Sequence, residues 1–372
     1  MMGTRDPLEQ IRDEFPVEGL LAWYQQEGRE PLWGDQADPY RVWVAVAMLH
    51  QTRFETVIPY YRRFVERFPD VVALAQADLE DVLRVWEGLG YYRRARHLQQ
   101  AAGLVVAKHA GRVPADWGAL RGLPGVGDYT ASAILSIAFG KGYPAVDGNV
   151  ARVLSRWFGL KERPSSAGGR RQLTDIAWAV LPPGRASEFN QALMDLGALV
   201  CRPRSPGCET CPLEAGCAAR RLGWQSDLPR RAASRPIPHH QVAAAVLVRD
   251  GQVLIAQRHP DDMLGGLWEF PGGKQEGDES LPECLRREIR EELGIAIRVG
   301  GPLIAFDHAY THFRITLHAF WCSLEREDET PQCLGCADWR WVRPDELDRF
   351  PLSAADRKVA RALSRAQEAT TE

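Results

Sequence analysis

Residues 120–134 read LRGLPGVGDYTASAI, and the interpretation of the first half of the chain turns on them. Gly122, Gly125 and Gly127 punctuate a short stretch, and beyond them apolar residues recur at helical spacing, which predicts a tight turn opening directly into a helix. Such a turn can offer backbone N–H groups, together with a helix N-terminus, to a phosphate. It can equally do no more than join two packed helices.

Outward from this turn the pattern stays helical. VWVAVAMLHQT (42–52), VIPYYRRFVERF (57–68), DLEDVLRVWEGL (78–89) and YYRRARHLQQAAGLVVAKH (91–109) precede it, while NVARVLSRWFG (149–159) and RQLTDIAWAVL (171–181) follow. Each carries an apolar face at helical period, and Gly or Pro separates them, so residues 1–228 are expected to form an all-α domain. Within YPAVDGNVARVL (143–154), Asp147 stands at the mouth of a helix, where an aspartate is most often an N-cap.

The 372 residues, 45% hydrophobic and 26% charged, suffice for two or three domains with cores of their own. The N-terminus is charged and no run approaches the roughly 20 apolar residues of a membrane span, so a soluble, cytoplasmic monomer with no membrane partner is expected. Residues 1–238 hold 30 Lys+Arg against 26 Asp+Glu, a net +4, whereas residues 239–372 hold 16 against 23, a net −7. A mildly basic first half suits contact with a polyanion without establishing it.

Four of the eight cysteines, Cys201, Cys208, Cys211 and Cys217, fall in one burst spaced C-x6-C-x2-C-x5-C. In a chain of this kind the cluster argues for metal rather than disulfides, and four thiolates suit either zinc or an iron–sulfur cluster. Cys284, Cys322, Cys333 and Cys336 read as structural, the last two forming a C-x2-C without a partner pair.

DLPRRAASRPIPHH (227–240) has no periodicity, and residues 229–240 read as a linker. Beyond it QVAAAVLVRDGQVLIAQR (241–258) gives two β-rich runs joined by Asp250-Gly251, a hairpin signal. A glycine-rich loop, the charged helix SLPECLRREIREELG (280–294) and strands such as RITLHAFWCSL (314–324) follow. Residues 241–366 are therefore expected to form an α+β domain, with a frayed polar tail after residue 364.

Glycine hairpin, aspartate and four-cysteine burst, in this order, resemble the helix-hairpin-helix DNA glycosylases, and within them the adenine DNA glycosylases of the MutY family. The resemblance also covers DPYRVWVAVAMLHQTRFETVIPYYRRFVERFP (38–69), GLGYYRRARHL (88–98) and FNQALMDLGALVC (189–201). It implies a multidomain chain: an all-α helix-hairpin-helix glycosylase domain with a 4Fe-4S cluster, then an α+β Nudix-fold domain. The activity implied is excision of adenine from double-stranded DNA opposite 8-oxoguanine. Asp147 would stabilise the oxocarbenium-like sugar, with Asn149 and Tyr129 supporting it. Gln51 would contact the flipped adenine, Tyr91 would wedge into the stack, Trp33 would face the DNA, and the turn of Gly122, Gly125 and Gly127 would hold a phosphate. In FDHAYTHFRITLHAF (306–320), Tyr310, Thr311 and His312 stand where the family reads 8-oxoguanine.

Two positions depart from that pattern. The family's general acid, a glutamate in Val-Trp-x-x-Glu, aligns with Val46, and its Pro-Trp-Arg/Gln motif is here Leu32-Trp33-Gly34. Valine cannot protonate adenine, and losing a positioned acid costs roughly 10²–10⁴-fold in rate. His50, four residues on, shares a helix face with Val46 and is the nearby side chain able to donate a proton near neutrality.

The second half holds GKQEGDESLPECLRREIREELGI (273–295), which resembles the Nudix box at every fixed position: Gly273, Glu279, Arg287, Glu288, Ile289, Glu291, Glu292, Gly294 and Ile295. Glu288, Glu291 and Glu292 fall at i, i+3 and i+4 of a helix, so their carboxylates share a face able to bind Mg²⁺ against a diphosphate. Most of the MutY family has lost this box. Three functions follow: an adenine glycosylase with weakened chemistry, a Mg²⁺-dependent hydrolase of an oxidised nucleoside triphosphate attached to a DNA-binding domain, or a non-catalytic module that holds the lesion.

Overall fold

The computed structural model describes residues 7–230 and 236–371. It divides into two compact units, Met1–Ala75 with Gln100–Ser234, and Gln76–Gln99 with Arg235–Glu372. The expected boundaries at 228 and 241 do not contain this exchange, in which 76–99 leaves the helical half. Of the expected linker, residues 231–235 lie outside the described residues, and the first strand already begins at His239.

The first unit is all helix. Its core gathers Leu20, Leu21, Val150, Leu154, Trp157, Ile176, Phe189 and Leu193 from helices Val17–Glu27, Gly148–Trp157, Ala167–Val180 and Ala186–Asp195. Phe15 meets Trp157 and Phe189 edge-on at 5.0 and 6.0 Å between ring centroids. Two helices end in π-helical turns, Ile134–Ala138 after Asp128–Ala133, and Leu196–Val200 after Ala186–Asp195. The second of these delivers the chain to Cys201.

The second unit is built on a seven-stranded sheet: β1 (His239–Arg249), β2 (Gln252–Gln257), β3 (Trp268–Glu269), β4 (Gly272–Lys274), β5 (Ile297–Ala309), β6 (Arg314–Leu324) and β7 (Asp338–Val342). β1 runs parallel to β6, with β2 and β4 antiparallel to β1, and β3 and β7 antiparallel to β2. The Asp250-Gly251 hairpin forms as expected, both residues adopting positive φ, 49° and 75°, as a tight two-residue turn requires. Helix Leu281–Leu293 covers one face through Cys284, Leu285, Ile289 and Leu293. Helix Ala354–Thr371 covers the other through Ala355, Val359, Ala360 and Leu363. That helix runs to Thr371, so the frayed tail expected after residue 364 is corrected: Arg, Ala, Gln and Glu are strong helix formers and carry the helix past its last buried leucine.

Segment Gln76–Gln99 joins this unit through buried and half-buried polar contacts. Glu80 accepts from Trp268 Nε1 at 2.9 Å and Gln257 Nε2 at 3.3 Å, Glu87 accepts from Arg357 at 2.7 and 2.8 Å, and Arg96 donates to the Gly265 carbonyl. Among the described residues no helix is long and apolar enough to cross a membrane.

Candidate functional site

Asp147 caps helix Gly148–Trp157, as its position in the sequence suggested. Its Oδ1 accepts from the backbone N–H of Asn149 at 2.8 Å and of Val150 at 2.7 Å, and its Oδ2 accepts from Asn149 Nδ2 at 2.8 Å. Burial nonetheless dominates and raises the carboxyl above the usual aspartate range, with these three hydrogen bonds and Arg152 opposing it. Asn149 is fixed in turn, because its Oδ1 accepts from Arg152 Nη2 at 2.8 Å.

Arg152 is the residue that sequence reasoning missed. Only 8% exposed, it also donates to the carbonyls of Gly197 and Cys201, both at 2.7 Å. Gly197 is required there, because a Cβ at that position would stand 2.6 Å from the Asn149 Cβ. One turn further, Arg156 donates to Cys201 Sγ at 3.3 Å and to the Arg202 carbonyl at 2.8 Å. The available signal was the pair of arginines at i+3 and i+7 from Asn149, on the face that must point into the protein.

Val46, 3% exposed, lies in an apolar cluster with Val42, Ala133, Ile137 and Ala145, against which Trp33, Tyr129 and Met194 pack. The place of the expected acid is thus filled by hydrocarbon. Tyr129 approaches Met194 Sδ with its hydroxyl at 4.0 Å, and burial with the Asp147 charge raises its phenol. His50 caps the helix Pro39–Leu49, its N–H on the Val46 carbonyl at 3.2 Å, and its exposed ring lies 6.5 Å from that of Tyr129. Gln51 is exposed and holds φ 65°, a left-handed conformation rare outside glycine.

The glycine hairpin forms between helices Trp117–Arg121 and Asp128–Ala133. Gly125 takes φ 74°, and Arg121 clasps the turn through the Val126 carbonyl and Asp128, both at 2.6 Å. Gly122, Gly125 and Gly127 are all exposed, and a Cβ on Gly127 would meet nothing within 4 Å, so its own fold does not demand glycine there.

In the second unit, Tyr91 follows Gly88 and Gly90 and itself holds φ 52°. Its loop is braced by Trp86 Nε1 and Arg94 Nη2, each donating to the Gly90 carbonyl at 3.0 Å. Thr311 and His312 form the tip of the β5–β6 hairpin, which Tyr310 closes with its N–H on the Phe313 carbonyl at 2.9 Å. The hydroxyls of Tyr91 and Thr311 are hydrogen-bonded at 2.7 Å, so two residues that the sequence singled out separately meet.

Cys201, Cys208, Cys211 and Cys217 are free thiols lining one pocket. Cys211 is pushed up to about 11 by burial and by the other three sulfurs. In the Nudix-like helix, Ser280 and Glu283 form a capping box and Gly294 takes φ 68° at the C-terminus. Arg287 binds Glu279 at 2.7 and 3.1 Å, and Glu288 and Glu291 at 3.0 Å each. That guanidinium holds Glu279 down at about 2. Burial, with the charges of Glu269 and Glu288, pushes Glu292 up to about 8. Glu269 itself, bound to Arg258 at 2.8 Å, is raised to about 7 by burial, and the sequence had given it no role. Among the described residues no three His, Cys, Asp or Glu side chains are grouped around a point that would suit one metal ion, the three box glutamates included.

Two family models match the chain: a HhH-GPD superfamily base excision DNA repair protein over residues 44–177, and a NUDIX domain over residues 242–362. The chain is 35% identical to an adenine DNA glycosylase of Homo sapiens, over 94% of its own length and 74% of that protein's. It is 30% identical to an adenine DNA glycosylase of Buchnera aphidicola, over 79% and 82%. Among solved structures, a thermostable thymine-DNA glycosylase, 29% identical, superposes with a TM-score of 0.53 over 58% of this chain and all of the other.

Proposed function

From a chain that belongs to the adenine DNA glycosylase family, we propose a more specific activity: slow excision of adenine opposite 8-oxoguanine in double-stranded DNA. The protein is a DNA N-glycosylase of base excision repair. The observation that carries the finer reading is the Tyr91–Thr311 hydrogen bond at 2.7 Å. It holds a candidate stacking residue against the hairpin of Tyr310, Thr311 and His312, so that a wedge in the stack and a reader of the base beside it would act as one body.

In the first unit, ionised Asp147 would face the sugar as positive charge develops on it, with Asn149 and two backbone N–H groups keeping its lone pairs aimed. Tyr129 supports that pocket and Gln51 would contact the flipped base. Gly127, open on its free side, leaves room for a phosphate to approach the hairpin closely. Val46 supplies no proton, so the leaving adenine must take one from His50 or from water. A 4Fe-4S cluster suits the four cysteines, which line one pocket and can supply four thiolates. Bound there, it would cross-link residues 201–217, to which Arg152 and Arg156 tie the Asp147 helix.

Single-turnover excision on duplexes carrying adenine opposite 8-oxoguanine, guanine or thymine tests this. Slow release favouring 8-oxoguanine is expected. No release by either the parent or Val46→Glu would overturn the reading and leave the lesion-holding module.

A second activity is favoured by the box in residues 273–295, every fixed residue of which is present, with Arg287, Glu288, Ile289, Glu291 and Glu292 on a capped helix. Glu288, Glu291 and Glu292 would take Mg²⁺ after Arg287 releases the first two, and an oxidised nucleoside triphosphate is the substrate to try. Mg²⁺-dependent pyrophosphate release from 8-oxo-dGTP is the readout, and its absence removes this activity.

A further inference from the structure

Glu87 ends helix Leu79–Trp86, and the turn that carries Tyr91 begins at the next residue. Gly88, Gly90 and Tyr91 take φ 92°, 77° and 52° in that turn, and a tyrosine in the left-handed region persists only where its surroundings impose it. At its tip the turn is tied to the β5–β6 hairpin by the hydroxyl contact of Tyr91 with Thr311, which is exposed, so water competes for both groups. At its root the tie is of another kind. Glu87 Oε1 accepts from Arg357 Nε at 2.7 Å, and its Oε2 accepts from Arg357 Nη2 at 2.8 Å and from the Leu352 N–H at 3.3 Å. The side chains of Arg357 and Glu87 are only 13% and 20% exposed. Arg357 also donates to the Leu347 and Phe350 carbonyls and to Asp348, so its five hydrogen bonds match the five N–H groups of a guanidinium. It stands on helix Ala354–Thr371, whose Val359 and Leu363 lie in the core against which Tyr310 and Phe313 pack. One largely buried ion pair thus fixes the root of the Tyr91 turn to the element that supports the 310–313 hairpin.

We propose that Glu87 and Arg357 are positioning residues that set the preference for 8-oxoguanine over guanine opposite adenine. The inference rests on the reading of Tyr91 as the wedge and of Tyr310, Thr311 and His312 as the reader of the base. Two contacts on one stretch of DNA reinforce each other when a rigid body presents both, because the cost of ordering them is then met once. A bidentate carboxylate–guanidinium pair fixes distance and angle together, which a lysine, a single point charge, cannot do. Without the pair the turn would be held by its exposed tip, and the wedge would enter the stack no more readily opposite one base than the other.

The test is equilibrium binding by the full-length protein to two duplexes that differ only in carrying 8-oxoguanine or guanine opposite an adenine nucleotide. That nucleotide bears a 2′-fluorine, which resists excision by disfavouring positive charge on the sugar. The parent should bind the 8-oxoguanine duplex more tightly. Arg357→Lys and Glu87→Gln should each cut that ratio by roughly ten-fold, with the guanine duplex bound as before. In a Tyr91→Asn background, which removes the ring yet tolerates the left-handed turn, Glu87→Gln should change the ratio no further. An ion pair that only stabilises the fold would lower the melting temperature and leave the ratio untouched, and that result overturns the proposal. So does an equal loss of affinity for both duplexes, or a Glu87→Gln effect that persists without the Tyr91 ring. Should Glu87→Gln not fold, Arg357→Lys keeps the charge and the stem and decides alone. A parent that binds both duplexes alike overturns the reading of the hairpin and the proposal with it, which is distinct from a parent that discriminates and variants that discriminate as well.

Discussion

Helix Pro39–Leu49 in the first unit and helix Leu281–Leu293 in the second each present a face on which acids belong, and they fill it in opposite ways. The first offers Val46 inside a hydrocarbon cluster against which Tyr129 packs, and the other candidate residues, Asp147 and Asn149, are hydrogen-bonded to each other. The second offers every glutamate, yet Arg287 ties Glu288 and Glu291 together, and burial lifts Glu292 to about 8. A site can thus be preorganised with one reactive group gone, or complete in its groups and not assembled. Placement costs many packing contacts to build, whereas one side chain changes in a single step, so the first condition is the easier to reverse.

Val46→Glu is the sharpest test of that contrast and carries the largest expected effect. Single-turnover excision opposite 8-oxoguanine should rise by roughly 10²–10⁴-fold, the usual worth of a positioned acid. The same change should lower the melting temperature, since a carboxyl replaces a methyl among Val42, Ala133 and Ile137. No rise in rate would mean that the rest of the pocket is not preorganised.

Asp147→Asn should act on activity and stability in opposite senses. Excision should fall by roughly 10²–10³-fold through loss of the charge facing the sugar. Asparagine remains a good N-cap, so the helix keeps its start. The Asp147 carboxyl is raised on folding, so its stabilising contribution is present below its unfolded value, about 3.9, and is lost as pH rises through the higher folded value. At neutral pH the variant should therefore melt no lower than the parent. A clear drop in melting temperature would contradict the burial argument. In the second unit, Glu291→Gln removes a carboxylate proposed to bind Mg²⁺, so it should abolish Mg²⁺-dependent hydrolysis and leave excision unchanged. Equal hydrolysis by both proteins would break the comparison from the other side.

What the sequence disclosed and withheld follows from the range of the interactions. Helix periodicity, the Asp250-Gly251 turn, the capped box helix and the Asp147 cap are local and legible within a few residues. The Arg152 network is not, because Gly197 and Cys201 come to it from more than forty positions away. The exchange of residues 76–99 into the second unit depends on Glu80, Glu87 and Arg96, which look like ordinary surface charges in DLEDVLRVWEGL and YYRRARHL. Val46 was legible as a missing acid, but that its neighbours close over it in hydrocarbon was not. The meeting of Tyr91 with Thr311 joins positions separated by 220 residues, and spacing could not have supplied it.

The smallest expected effect belongs to His50, the titratable side chain one turn from Val46. Its ring is exposed and faces Tyr129 at 6.5 Å, at the C-terminal end of the helix whose interior position should have held the acid. A donor there has to span the extra turn, directly or through a water, so its share of the proton transfer is small compared with that of a glutamate at position 46. His50→Gln should accordingly slow excision by the parent by no more than about ten-fold. In a Val46→Glu background the same substitution should have almost no effect, because the better-placed acid has taken over. An unchanged excision rate in His50→Gln would assign the residual proton to solvent and leave Asp147 as the source of whatever excision remains.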